Sequence, residues 1–157
     1  MSGVGHLGEL EVMHFLKTIK KQEIYLPLKD HGIDFISISK NNAYQIQVKT
    51  SMFQKKSYFW FDLFKEKMVY SDRTFYIFVC KSLGRRQFMG KKHNFLVIPS
   101  KLLQKWIAMR KFAGKKNDSG VFNVFVYPDF VNKKWTYKNK GKFIDFTPYW
   151  NNFEQMK

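Results

Sequence analysis

An α/β fold is what this sequence predicts: a mixed β-sheet flanked by two helices, with a further β-rich, aromatic extension at the carboxyl end. Three observations predict it. Residues 7–19 and 100–112 repeat apolar side chains at helical spacing. Short runs between them alternate polar with apolar residues or stay apolar over the length of a strand. The stretch GIDFISISKNNAYQIQVKTS at residues 32–51 reads as a β-hairpin. A chain of 157 residues has the size of one domain. The expected division is a single domain over 1–157, with a core at about 1–112 and the extension at about 121–157.

The first helix is expected to start near residues 2–5 and to run to about 21. Leu7, Leu10, Met13, Leu16 and Ile19 form its apolar stripe, widened by Val12 and Phe15. Lys17, Lys20 and Lys21 suit the negative end of the helix dipole. Glu9 falls on the edge of the stripe, where a carboxylate needs a cation, a donor or a metal. Glu11 falls with His14 and Thr18 on a more polar side. Residues 23–28 form a short strand that Pro27 assigns to a sheet edge or a strand end. His31 follows in a turn, where a lone histidine is normally just solvated.

In the hairpin, Asp34, Ile36 and Ile38 share one face of the first strand, and Gln45, Gln47 and Lys49 share one face of the second. A loop of Lys40 and Asn41 sets Asp34 opposite Gln47, whereas a loop of residues 40–43 sets it opposite Lys49. Both registers bring the three polar groups together; a slip of one residue separates them. An ordinary cross-strand ion pair between Asp34 and Lys49 is the alternative reading.

Residues 58–64 are apolar almost throughout and predict a strand buried on both faces, with Asp62 an extra polar candidate. Buried strands follow at 74–81 and 94–98, separated by a basic loop, and a helix at 100–112 has Ser100 as N-cap. Residues 114–120 read as a linker. A strand is expected at 121–127, then a basic, turn-rich stretch at 133–142. The aromatic ending at 143–150 packs back on the domain or forms a subunit interface.

Composition narrows the partners. The 28 Lys and Arg against 12 Asp and Glu give a net charge of +16, a field that favours polyanions. Nucleic acid is the stronger candidate, because no apolar run is long enough to span a membrane. The amino-terminal residues lack the pattern of a secretory signal, so a cytoplasmic location is expected. Cys80 stands alone, which excludes an internal disulfide and suits a core filler. One Cys and four scattered His supply no zinc site. Of the 17 Phe, most lie in strand-like runs and read as core.

Glu9 in GELEV, Asp34 in GID, and Gln47 and Lys49 in QVK resemble the motif of the PD-(D/E)XK nuclease superfamily. There a helix acid precedes a hairpin bearing an Asp, then an acidic residue and a Lys two apart. The pattern GxxGE, GIDFI, QVKTS looks most like the branch of group I intron homing endonucleases and small restriction-like proteins. Two positions depart from the motif. His31-Gly32-Ile33 stands where a Pro often precedes the Asp. Gln47 stands where an acid is usual, a variant found among active members of the intron branch, and it removes one negative charge from a cation's shell.

The resemblance implies a restriction-endonuclease-like core and an endonuclease that hydrolyses DNA phosphodiesters with Mg²⁺, or Mn²⁺ as substitute. Asp34 would hold the ion, Gln47 would offer a carbonyl oxygen, and Glu9 would act through water or on a second ion. Lys49 would orient the attacking water. A site-specific homing or restriction-type enzyme is the narrower expectation; a non-catalytic DNA-binding module of the same fold and a Holliday-junction resolvase are the alternatives. Lys55, Lys56, Arg85, Arg86, Lys91 and Lys92 are the nearest candidates for DNA contact, followed by Lys133, Lys134, Lys138, Lys140 and Lys142. One such site cuts one strand, so a homodimer or higher homo-oligomer is expected for duplex cleavage.

Overall fold

The computed structural model describes residues 3–28, 32–53, 57–82, 89–114 and 120–156. Its elements are α1 (Gly3–Thr18), β1 (Glu23–Tyr25), β2 (Phe35–Ser39), β3 (Asn42–Met52), β4 (Phe59–Phe64), a 3₁₀ turn (Lys65–Lys67), β5 (Thr74–Lys81), β6 (Phe95–Pro99), α2 (Ser100–Ala108), β7 (Ala113–Gly114), β8 (Val121–Asp129), β9 (Lys134–Asn139) and β10 (Lys142–Asp145). Short 3₁₀ turns at Thr147–Tyr149 and Phe153–Gln155 follow.

Two sheets result. The first runs β1-β2-β3-β5-β6, with β3 and β5 parallel and the other pairs antiparallel. Parallel neighbours need a crossover between them. Here the crossover is β4 with its 3₁₀ turn, and β4 belongs to the second, antiparallel sheet, β10-β9-β8-β4, with β7 on β8.

Strand alternation divides the apolar residues into two cores. On one face of the first sheet, Val12 and Leu16 of α1 share a cluster with Phe35, Ile46, Val48, Ile77 and Val97. On the other face, Tyr76, Phe78, Leu96 and Ile98 share a cluster with Phe61 and Leu63 of β4, Trp135 and Tyr137 of β9, and Leu103 and Trp106 of α2. Phe61 stacks on Phe78 at 4.5 Å between ring centroids. Each such fully buried apolar side chain contributes about 1.5–3 kcal/mol.

α1 lies close against β3 because Gly8 leaves room: a Cβ there would stand 1.8 Å from Thr50 Oγ1. Glu11, half-buried, fastens the same helix to the far side of the sheet by pairing with Lys81 and, at 2.8 Å, with His93 Nδ1.

Several sequence expectations need correction. Leu7, Leu10 and Ile19 are exposed, because the helix buries only the narrow row through Gly8, Val12 and Leu16. β4 is buried on one face, not two: Phe59, Phe61 and Leu63 point inward while Trp60, Asp62 and Phe64 face out. The stretch at 133–142 is not simply a turn-rich run; it supplies β9 and the turn to β10, paired from Lys142↔Asn139 to Asp145↔Thr136. The aromatic ending does pack back: Trp150 bridges Leu96, and Phe153 and Met156 enter the core under α1. Among the described residues, no helix is long and apolar enough to cross a membrane.

Candidate active site

The β2–β3 hairpin closes with Ser39 across from Asn42, so Lys40 and Asn41 form the two-residue loop, Lys40 with φ of 55°. Of the two loops that the sequence allows, this is the shorter. Phe35 pairs with Ile46, and the Asp34 N–H donates to the Ile46 carbonyl at 2.8 Å. Gln47 in turn pairs with Tyr76 of β5. Gln47 and Tyr76 therefore form one row across two strands, and Asp34 immediately precedes β2. Tyr44, Ile46 and Val48 enter the core under α1, which leaves Gln45, Gln47 and Lys49 on the opposite face.

On that face lies a cavity of about 120 Å³ lined by Gly32, Gln47, Lys49, Phe64, Lys67, Met68 and Tyr76. Its wall depends on Gly32, which has φ of +86° and passes so near the 3₁₀ turn that a Cβ would stand 2.3 Å from the Lys67 carbonyl oxygen. Tyr76 fixes the segment after that turn, its hydroxyl oxygen accepting the Val69 N–H at 2.8 Å. Burial pushes the Tyr76 hydroxyl pKa up, and the nearby Asp34 carboxylate adds to the shift.

The Asp34 carboxylate is held by the Val48 N–H, which donates to Oδ2 at 2.7 Å. Gln47 Oε1 is buried and accepts no hydrogen bond. An orphaned carbonyl oxygen in a closed setting costs about 1–3 kcal/mol unless something satisfies it. A hard divalent cation would do so, with the Asp34 carboxylate, held on the Val48 N–H, as the second ligand. Gln47 Oε1 and the Asp34 carboxylate are the oxygen donors that a Mg²⁺-type ion would use; among the described residues, no three His, Cys, Asp or Glu side chains gather at one point.

The ring of Phe64 carries two ammonium groups, Lys49 Nζ at 5.2 Å and Lys67 Nζ at 5.8 Å from its centroid. Lys67 and Tyr76 escaped the sequence reading. Lys67 follows no motif and reaches the site only through the fold of the crossover, and Tyr76 is hidden in an apolar strand. A turn glycine before Asp34 was the one visible signal for the wall.

Glu9 stands apart from this cavity. It is half-buried on α1, and α1 covers the other face of the sheet. Asp62 is also elsewhere, exposed on β4 and accepting the Trp60 indole N–H at 3.0 Å. Lys91 and Lys92 are exposed beyond the carboxyl end of β5, the end towards which β3 runs past Lys49. Lys133, Lys134, Lys138 and Lys140 are exposed and Lys142 half-buried around the β9–β10 hairpin. His31, Lys55, Lys56, Arg85 and Arg86 lie outside the described residues.

Among solved structures, the chain is similar to a bacterial homing endonuclease, I-Ssp6803I, with a TM-score of 0.59 and 13% identity, over 98% of this chain and 88% of that one. The fold is homing-endonuclease-like. No protein-family model matches the sequence, and no curated protein matches it. At this level of identity the homing-endonuclease-like likeness concerns architecture: a mixed sheet with α1 on one face and a second sheet with α2 on the other. That architecture agrees with the α/β fold expected from the sequence.

Proposed function

We propose that the chain is a metal-dependent DNA endonuclease of the PD-(D/E)XK type, in the variant that carries Gln47 in place of the usual acid. One observation carries the reading: the buried Gln47 Oε1, which accepts no hydrogen bond, shares a cavity with Lys49, and the Asp34 carboxylate holds the N–H of the next residue along β3, Val48. The homing-endonuclease-like fold and the charge of +16 support it.

A divalent ion held by Asp34 and Gln47 would supply Lewis acidity that makes water a nucleophile near neutral pH. Asp34 presents its charge in a fixed direction because Val48 holds one oxygen. Gln47 offers an oxygen that nothing else occupies. Lys49 brings a positive charge to the place where a phosphodiester gains negative charge in the transition state. Exposed lysines such as Lys91 and Lys92 would neutralise backbone phosphates, and two copies of the chain would cut the two strands of a duplex.

A non-catalytic DNA-binding module is the second reading, favoured by the lack, among the described residues, of three His, Cys, Asp or Glu side chains at one point. The test is to incubate the protein and its Lys49→Ala variant with a randomised duplex library in Mg²⁺ or Mn²⁺ and to sequence the new ends. The expected result is cleavage at a preferred sequence by the unaltered protein, lost on chelation and reduced about 100-fold or more by Lys49→Ala, with DNA binding retained. Binding without cleavage in either metal would establish the module instead.

A further inference from the structure

The second ammonium at the cavity has no place in the motif. Lys67 sits at the end of the 3₁₀ turn, and three contacts fix that turn: Lys65 N–H donates to the Gly120 carbonyl at 2.7 Å, the Lys67 carbonyl lies against Gly32, and Val69 N–H donates to Tyr76. Its ammonium and that of Lys49 rest on the one ring of Phe64 at the edge of the same cavity. Two ammoniums that border one cavity give it a positive field, which suits an anion. The quadrupole of the ring seats both cations.

We propose that Lys67 and Lys49, seated on Phe64, form a two-point phosphate clamp in which Lys67 holds a backbone phosphate of the DNA strand lying in the cavity. This rests on reading the cavity as the phosphodiester site. Lys67 is a binding group in this arrangement, and Phe64 is a positioning residue that aims both ammoniums. The clamp requires no metal, so it can be measured apart from cleavage.

The experiment titrates a fluorescein-labelled duplex of mixed sequence with the full chain in chelator, over a range of salt concentrations. One phosphate contact contributes about 0.9 to the slope of log affinity against log salt. Lys67→Gln is expected to lower the slope by about that amount, Lys67→Arg to restore it, and Phe64→Leu to lower it by more, since both ammoniums lose their seat. Lys17→Gln, on α1 across the sheet, is the control and is expected to leave the slope unchanged. Because Lys67 and Phe64 are exposed, thermal melts of the variants are expected to match that of the unaltered chain. An unchanged slope for Lys67→Gln, or a drop that Lys67→Arg does not restore, overturns the clamp and leaves the endonuclease reading standing. An unaltered chain whose affinity does not respond to salt overturns both.

Discussion

The Asp34 carboxylate accepts the backbone N–H of Val48 at 2.7 Å, while its own N–H donates to the Ile46 carbonyl two residues earlier in β3. The side chain thereby takes an amide in β3 at the point where β2 begins, so the group proposed to carry charge also secures the hairpin.

The two roles separate by substitution. Asp34→Asn keeps an oxygen acceptor for Val48 and removes the charge; cleavage is expected to be lost while the urea midpoint moves little. Asp34→Ala removes both and strands the Val48 N–H, which is expected to cost about 1–3 kcal/mol in urea denaturation.

Gln47→Glu restores the charge that the motif usually carries. Ion binding is expected to tighten, read as a larger rise of Tm on adding Mg²⁺ than the unaltered chain shows. Without the ion, a carboxylate in this buried position must hold its proton more strongly. The variant is therefore expected to melt lower than the unaltered chain in chelator above pH 7, and to regain stability as the pH falls through the raised pKa.

Gly8→Ala tests the approach of α1 to β3. The added methyl meets Thr50 Oγ1 at 1.8 Å, so the helix must shift. A net loss of about 1–3 kcal/mol is expected by urea denaturation, despite the better helix propensity of alanine. Gly8→Ala combined with Thr50→Ala is expected to recover most of it.

Cys80 lies fully within the inter-sheet core, and burial pushes its thiol pKa well up. Iodoacetamide is expected to leave the folded chain unlabelled at pH 8 and to alkylate Cys80 in denaturant, as mass spectrometry would show.

What the sequence revealed of this structure was whatever depends on neighbours along the chain. The alternation through Asp34 and Lys49 showed which polar groups share a face, and the apolar run of β5 showed a central strand. What depends on distant partners was hidden. The face of β4 that carries Trp60, Asp62 and Phe64 looks apolar in sequence, and only its pairing with β8 shows that the other face is the buried one. Leu7, Leu10 and Ile19 repeat correctly for a helix, yet the sheet beneath α1 takes only one row. Lys67 reaches the cavity because the crossover between β3 and β5 runs through the second sheet, and nothing within a few residues of Lys67 announces that.

The strict alternation along β3 has a consequence for how this chain can change over generations. Tyr44, Ile46 and Val48 point to one layer and Gln45, Gln47 and Lys49 to the other, so the strand tolerates exchange of one residue for another but not a change in its count. Insertion or loss of a single codon between Gln45 and Lys49 would drive a lysine into oil and turn isoleucine or valine towards the cavity, erasing hydrophobic layer and polar face in one event.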